Sequence, residues 1–162
     1  MSLCDNGMES LPFDPLKFLP CDESDLATLV APALVLLKKA QEEHPLDLSL
    51  IKNLLVEETK KELPDYTKLH LNGELVGWYH LIDHDDYLEL DDVNVLENFR
   101  NLGLGTNILN RLKIKAQELE VPIHCHVLKN NPRAINFYNK AEFKPIKEDE
   151  KVQILQWQSR NK

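Results

Sequence analysis

One segment joins a strand directly to a long helix: Val95-Leu96-Glu97-Asn98-Phe99-Arg100-Asn101-Leu102-Gly103-Leu104-Gly105-Thr106. Beyond it Ile108, Leu109, Leu112, Ala116 and Leu119 recur at helical spacing, which predicts an amphipathic helix from the glycines to about Glu120. The first N–H groups of a helix have no intrahelical acceptor, and the aligned peptide dipoles leave partial positive charge beside them. A strand-loop-helix junction of this kind suits a diphosphate. Glycine at 103 and 105 removes Cβ atoms that would hold phosphate oxygens off the backbone, and Arg100 adds a charged fork of donors. A Rossmann site would need G-x-G-x-x-G, but residue 108 is Ile, and no Gly-Lys-Ser/Thr follows to make a Walker A loop.

The remaining pattern alternates between both periods. Leu16 to Pro20 reads as a short strand, and Asp22 and Ser24 offer caps for a helix carrying Leu26, Leu29, Val30, Ala33, Leu34 and Leu37. Pro32 cannot donate its backbone bond, so that helix either starts near Ala31 or bends there. A second helix is expected from Asp47 to Glu62, with Ile51, Leu54 and Leu55 inward. Strands at 67–71 and 74–82 flank Asn72-Gly73, a strong hairpin signal because both turn positions need positive φ. Asp83 to Asp86 form a polar turn before a strand from Tyr87 to Val95. After the long helix come a buried strand from Pro122 to Leu128, a short helix capped by Asn131 with Pro132 at its first position, and a closing hairpin of Phe143–Lys147 and Val152–Gln158.

The chain has 162 residues, enough for one core without staples, and residues 16–162 read as a single domain behind a flexible leader, 1–15. A net charge of -8 disfavours nucleic acid as a partner, since phosphate backbones need clustered Lys and Arg. The three cysteines have no CxxC spacing, which suggests neither a disulfide framework nor zinc and fits a reducing, cytoplasmic location. The longest apolar run, Leu29 to Leu37, is too short for a membrane span. His124 and His126 flank Cys125 on one strand, but two ligands without a third do not make a metal site, and none is expected. His80, Asp83, His84, Asp85 and Asp86 read as a solvated loop.

Arg100-x-x-Gly103-x-Gly105, with Val95 ahead of it, resembles the acyl-CoA motif of the GNAT (GCN5-related N-acetyltransferase) superfamily. Asn131-x-x-Ala134-x-x-Phe137-Tyr138-x-Lys140-x-Glu142-Phe143 is similar to the family's second motif, departing where Glu142 replaces the usual glycine. The resemblance implies an α/β (α+β) GNAT fold: a mixed, mostly antiparallel sheet of six to seven strands with about four helices, splayed between the fourth and fifth strands. It implies acetyl-CoA as co-substrate and an amine acceptor, small molecule or protein. The pyrophosphate would meet Arg100, Asn101, Leu102, Gly103, Leu104, Gly105 and Thr106, and the pantetheine arm the backbone of Val93 and Val95 and the side chain of Asn131.

An amine must be neutral to attack a thioester, yet an ammonium of pKa ~10.4 is deprotonated in only about one part in a few thousand at neutral pH. A base is therefore useful. Glu89 lies where histone-type members carry their catalytic glutamate, and a hydrophobic surround from Leu88 and Leu90 would raise its pKa; Asp92 and Asp91 are rivals, in that order. The departing thiolate needs a proton or a hydrogen bond, and the second motif usually places its general acid at Tyr138. A non-catalytic acyl-CoA-binding module, a longer acyl chain and an oxygen acceptor are the alternatives. An exposed C-terminal strand also offers a surface for a homodimer.

Overall fold

The computed structural model describes residues 16–41 and 45–160, so the expected leader lies outside the described residues. The elements run β1 (Lys17–Pro20), α1 (Leu26–Ala40), α2 (Leu48–Glu62), β2 (Tyr66–Leu71), β3 (Glu74–Asp83), β4 (Leu88–Val95), α3 (Leu104–Leu119), β5 (Ile123–Leu128), α4 (Pro132–Lys140), β6 (Lys144–Glu148) and β7 (Val152–Trp157). Seven strands form one sheet in the order β1-β2-β3-β4-β5-β7-β6. Every neighbouring pair is antiparallel except β4 and β5. That mixed sheet, with α3 as the crossover joining its parallel pair, is the GNAT fold.

Asn72 and Gly73 turn the β2–β3 hairpin at φ 53° and 78°, the positive values that an Asn-Gly turn supplies cheaply. Four residues on, Gly77 has a packing reason: a Cβ there would stand 2.5 Å from the Asn94 carbonyl oxygen of β4. One face of the sheet buries Leu69, Tyr79, Leu81, Leu88 and Leu90 against Ile108, Leu109, Leu112 and Ala116 of α3 and Tyr138 of α4. The other face carries a smaller cluster in which Trp78 meets Leu26 and Leu29 of α1 and Leu63.

Several expectations need correction. α1 runs across Pro32 rather than starting at Ala31, because a 3₁₀ turn at Glu23–Asp25, capped by Asp22, nucleates it earlier. Leu54 is 57% exposed, since the inward stripe of α2 is Ile51, Leu55 and the buried Thr59. Leu119 is 48% exposed, as the buried stripe of α3 ends at Ala116. The edge strand β6 is exposed along its length and carries Lys144, Pro145 and Lys147, residues that discourage edge-to-edge pairing.

Glu142 keeps the turn that glycine usually makes. It adopts φ 70°, and the amides of Glu142 and Phe143 bond the carbonyls of Asn139 and Tyr138 at 3.0 Å each, closing α4 as a left-handed cap does. A side chain there costs about 1–2 kcal/mol. Glu142→Gly relieves that strain, partly offset by glycine's freedom in the unfolded chain, and should raise stability by about 0.5 kcal/mol. Glu142→Val should lower it by about 1 kcal/mol or more, because a β-branched side chain fits the left-handed region worst. Urea unfolding of the three proteins checks the order.

Candidate functional site

β4 and β5 share only three rungs, Leu88↔Ile123, Glu89↔His124 and Leu90↔Cys125. Past Leu90, β4 continues against β3 to Val95 while β5 continues against β7 to Leu128. The splay therefore begins after Leu90, leaving the β5-facing side of residues 91–95 without strand pairing.

At the top of this opening the chain leaves β4 through Leu96, whose amide bonds the Val76 carbonyl at 2.9 Å, and passes a 3₁₀ turn at Glu97–Phe99. Asn101 (φ 64°) and Gly103 (φ 80°) then reverse it into α3. No side chain caps that helix and no acid stands in its first turn. Among the described residues, the amides of 101–106 meet no backbone acceptor, and the first bond of α3 is Asn107 N–H to the Gly103 carbonyl at 2.9 Å. Arg100 turns its Nε–H onto the Val95 carbonyl at 3.0 Å, which ties the guanidinium to the strand end beside these free donors.

The two glycines serve different needs. At Gly103 a Cβ would meet nothing within 4 Å, so the space stays open toward a ligand, and the φ of 80° favours glycine on its own account. At Gly105 a Cβ would meet the Phe137 ring at 2.9 and 3.0 Å, so the space it leaves is filled by α4 rather than kept for phosphate oxygens. The Ala134 amide donates to Asn131 Oδ1 at 3.1 Å, capping α4 and leaving the Asn131 NH₂ outside the cap. Tyr138 sits on the next turn with Phe137 and Phe143 edge-on at 5.1 and 5.3 Å. Its phenol is pushed well above the usual tyrosine range by burial first, then by the charges of Cys125 and Asp92.

Glu89 faces away from that core. Leu88 and Leu90 point to the opposite side, as strand alternation requires, so they give Glu89 no hydrophobic surround. Two imidazoles do instead: His84 Nε2 lies 2.9 Å from Oε2, and His126 Nδ1 lies 3.5 Å from Oε1 across the start of the splay. Tyr87, expected in the strand, lies in the turn before it and stacks between His84 and His124 at 4.3 and 4.6 Å. His124 bonds Gln156 of β7 at 2.8 Å. The carboxylate is 19% exposed and His84 37%, so Glu89 reaches solvent through an imidazole.

Asp91 and Asp92 differ sharply despite adjacency. Asp91 is the unpaired residue of a β-bulge between Leu90 and Asp92, and its Oδ2 lies 3.0 Å from His80 Nδ1. His80 is not part of a solvated loop: it is 1% exposed and stacks on Tyr66 at 4.1 Å with the rings 3° from parallel. Its Nε2 and the Trp78 Nε1 are buried without a hydrogen-bond partner among the described residues. Burial, then the Asp91 charge, holds the Asp92 carboxyl above the ordinary aspartate range, whereas the His80 bond draws Asp91 below it. Glu62 and Asp65 add their charges to those of the two aspartates around the Tyr66–His80 stack. The structure thus relates Tyr138 to Asp92 and gathers Glu89 with His84 and His126.

Residues 36–143 match the family described as the acetyltransferase (GNAT) family. The chain belongs to this family. Its fold is similar to that of the PaiA N-acetyltransferase of Thermoplasma acidophilum, solved in complex with coenzyme A, at TM-score 0.67 and 18% identity over 90% of this chain and 99% of that one. It is also similar to Arabidopsis thaliana Naa50 in complex with the bisubstrate analogue CoA-Ac-MVNAL, at TM-score 0.62 and 17% identity over 89% and 99% of the two chains. Campylobacter jejuni PseH, in complex with acetyl coenzyme A, gives TM-score 0.55 and 13% identity over 90% and 99%. Identities this low speak for a common GNAT fold.

Two substitutions test these assignments. Gly105→Ala should destabilise the protein by about 1–3 kcal/mol through contact with the Phe137 ring, and Phe137→Leu should recover part of that loss. Were the position open, alanine would instead stabilise the helix by up to about 1 kcal/mol. For Asp92 the raised folded pKa means that its ionised form destabilises the native state at neutral pH. That penalty is fully present above the folded pKa and is relieved as pH falls through it. Asp92→Asn should therefore raise the thermal midpoint at pH 7, and the advantage should vanish as the pH approaches the unfolded carboxyl range.

Proposed function

We propose that this GNAT protein is an N-acetyltransferase that moves an acetyl group from acetyl-CoA to a primary amine by direct attack in a ternary complex. The observation that carries the reading is the row of unpaired amides at 101–106 at the head of the splay, beside Arg100. Six donors and a guanidinium suit a diphosphate, and in this reading the Val93 and Val95 backbone and the Asn131 amide receive the arm within the opening. The relatives solved with coenzyme A or acetyl coenzyme A bind that same chemical class.

Glu89 is the proton acceptor in this reading. It takes a proton from the acceptor's ammonium, directly or through a water, and His84 can pass that proton outward along the 2.9 Å contact. The neutral amine nitrogen then forms a bond to the thioester carbonyl carbon and loses its second proton as the C–S bond breaks. Tyr138, kept protonated by its raised pKa, donates a hydrogen bond to the departing thiolate and is the acid that returns a proton to it. The nitrogen's second proton leaves by way of Glu89, once the first has passed to solvent, and the Tyr138 phenolate regains a proton from solvent, so one proton is released per turnover. The carboxylates of Glu62, Asp65, Asp91 and Asp92 around Tyr66 and His80 favour a cationic acceptor over an anionic one.

No described helix is long and apolar enough to cross a membrane. A cytoplasmic location accords with the free thiols of Cys21 and Cys125. The C-terminal strand expected to offer a dimer surface, β7, is paired on both edges by β5 and β6, so a homodimer would have to use the outer edge of β6, which Pro145 and two lysines guard.

A coenzyme A release screen over diverse amines should find turnover that depends on the amine. Glu89→Gln and Tyr138→Phe should each keep coenzyme affinity while losing about 100-fold or more in kcat. Full activity in either variant would reject that residue's role. Binding of acetyl-CoA without turnover on any amine would instead mark a non-catalytic acyl-CoA module.

A further inference from the structure

The residues of β4 that face the α3 side are Leu88, Leu90, Val93 and Val95. Between Leu90 and Val93 the spacing is odd, and a strand of period two cannot keep both on one face. One residue has to leave the ladder, and the β3–β4 register identifies it: His80 pairs with Asp92 and Leu81 with Leu90, so Asp91 is extruded. The bulge falls one residue past Leu90↔Cys125, the last rung shared with β5. It therefore sits at the vertex of the splay.

Among the described residues Asp91 makes one side-chain hydrogen bond, the 3.0 Å contact of its Oδ2 with His80 Nδ1. The imidazole is itself fixed, 2% exposed and stacked flat on Tyr66, while its other nitrogen has no partner among the described residues. A buried imidazole with one orphan nitrogen is costly to retain. Its one polar contact is with the residue that makes the bulge.

We propose that His80 is a positioning residue for acetyl transfer: by bonding bulged Asp91 it fixes where β4 parts from β5, and so sets the free edge of Val93 and Val95 and the side on which Asp92 lies. A slip of one residue would turn both valines outward and drive Asp92 into the core. His80 would touch neither substrate. This inference rests on the proposed reaction, but part of its test does not need turnover.

His80→Phe keeps a ring to stack on Tyr66 and removes the donor, whereas His80→Asn sets an amide NH₂ near the place of Nδ1. Amide hydrogen exchange of Asp92 and Asn94, whose amides face β3, kinetics with acetyl-CoA and an accepted amine, and thermal melts would be recorded for both, for Asp91→Ala and for the His80→Phe/Asp91→Ala double variant. We expect His80→Phe to melt cooperatively, to speed exchange at Asp92 and Asn94 about tenfold or more relative to Leu88 to Leu90, and to lower kcat/KM about tenfold or more. His80→Asn should return both readouts to within about threefold of the parent, and adding Asp91→Ala to His80→Phe should cost nothing further. Unchanged exchange at Asp92 and Asn94, no rescue by asparagine, or losses that multiply in the double variant would overturn the proposal. If His80→Phe fails to fold, Asp91→Ala and His80→Asn carry the same comparison. Absence of turnover in the parent would defeat the proposed reaction while the exchange data still decide the role of His80.

Discussion

Three rungs join β4 to β5, and the opening proposed to hold the reaction starts just beyond the third. The rungs hold because Leu88, Leu90, Ile123 and Cys125 are all at most 1% exposed against α3, so the closed end cannot open without exposing core. Past Leu90, β4 keeps β3 and β5 keeps β7 along their outer edges, while the edges that face each other share no further rung. The gap opens where the ladder of β4 is broken, at the bulge of Asp91 one residue past the last rung. It delivers the end of β4 to the mouth of α3, where unpaired amides collect.

Electrostatics divides along the same line. The chain is acidic overall, at -8, yet the head of α3 has no acid in its first turn and takes Arg100 beside it. The carboxylates collect on the opposite face, where Asp91, Asp92, Glu62 and Asp65 surround Tyr66 and His80. An anionic donor and a cationic acceptor would be drawn to different sides of one sheet and meet at the splay, which is the geometry a ternary complex needs.

Much of this was legible in the residues. Asn72-Gly73 specified its hairpin through backbone conformations few other pairs adopt, and the Ile108 to Ala116 stripe specified α3. Asn131-Pro132 specified the start of α4 because capping is local. Features that depended on a partner distant in sequence were not readable: Gly105 answers to Phe137, and His80 is buried by Tyr66. The hydrophobic surround assigned to Glu89 failed for a simpler reason, since Leu88 and Leu90 adjoin it along the strand but project to the other face. The bulge is visible in the sequence as the odd step from Leu90 to Val93, a break that the otherwise continuous strand pattern from Tyr87 to Val95 masks.

The central claim is that main-chain donors at 101–106, with Arg100, receive a diphosphate. Calorimetric titration of the purified protein with coenzyme A and with pantetheine, which keeps the arm and thiol but lacks the diphosphate, tests it most directly. The account predicts saturable binding of coenzyme A and a loss of about 100-fold or more in affinity, roughly 3 kcal/mol, for pantetheine. No association with coenzyme A, or equal affinity for the two, would contradict it.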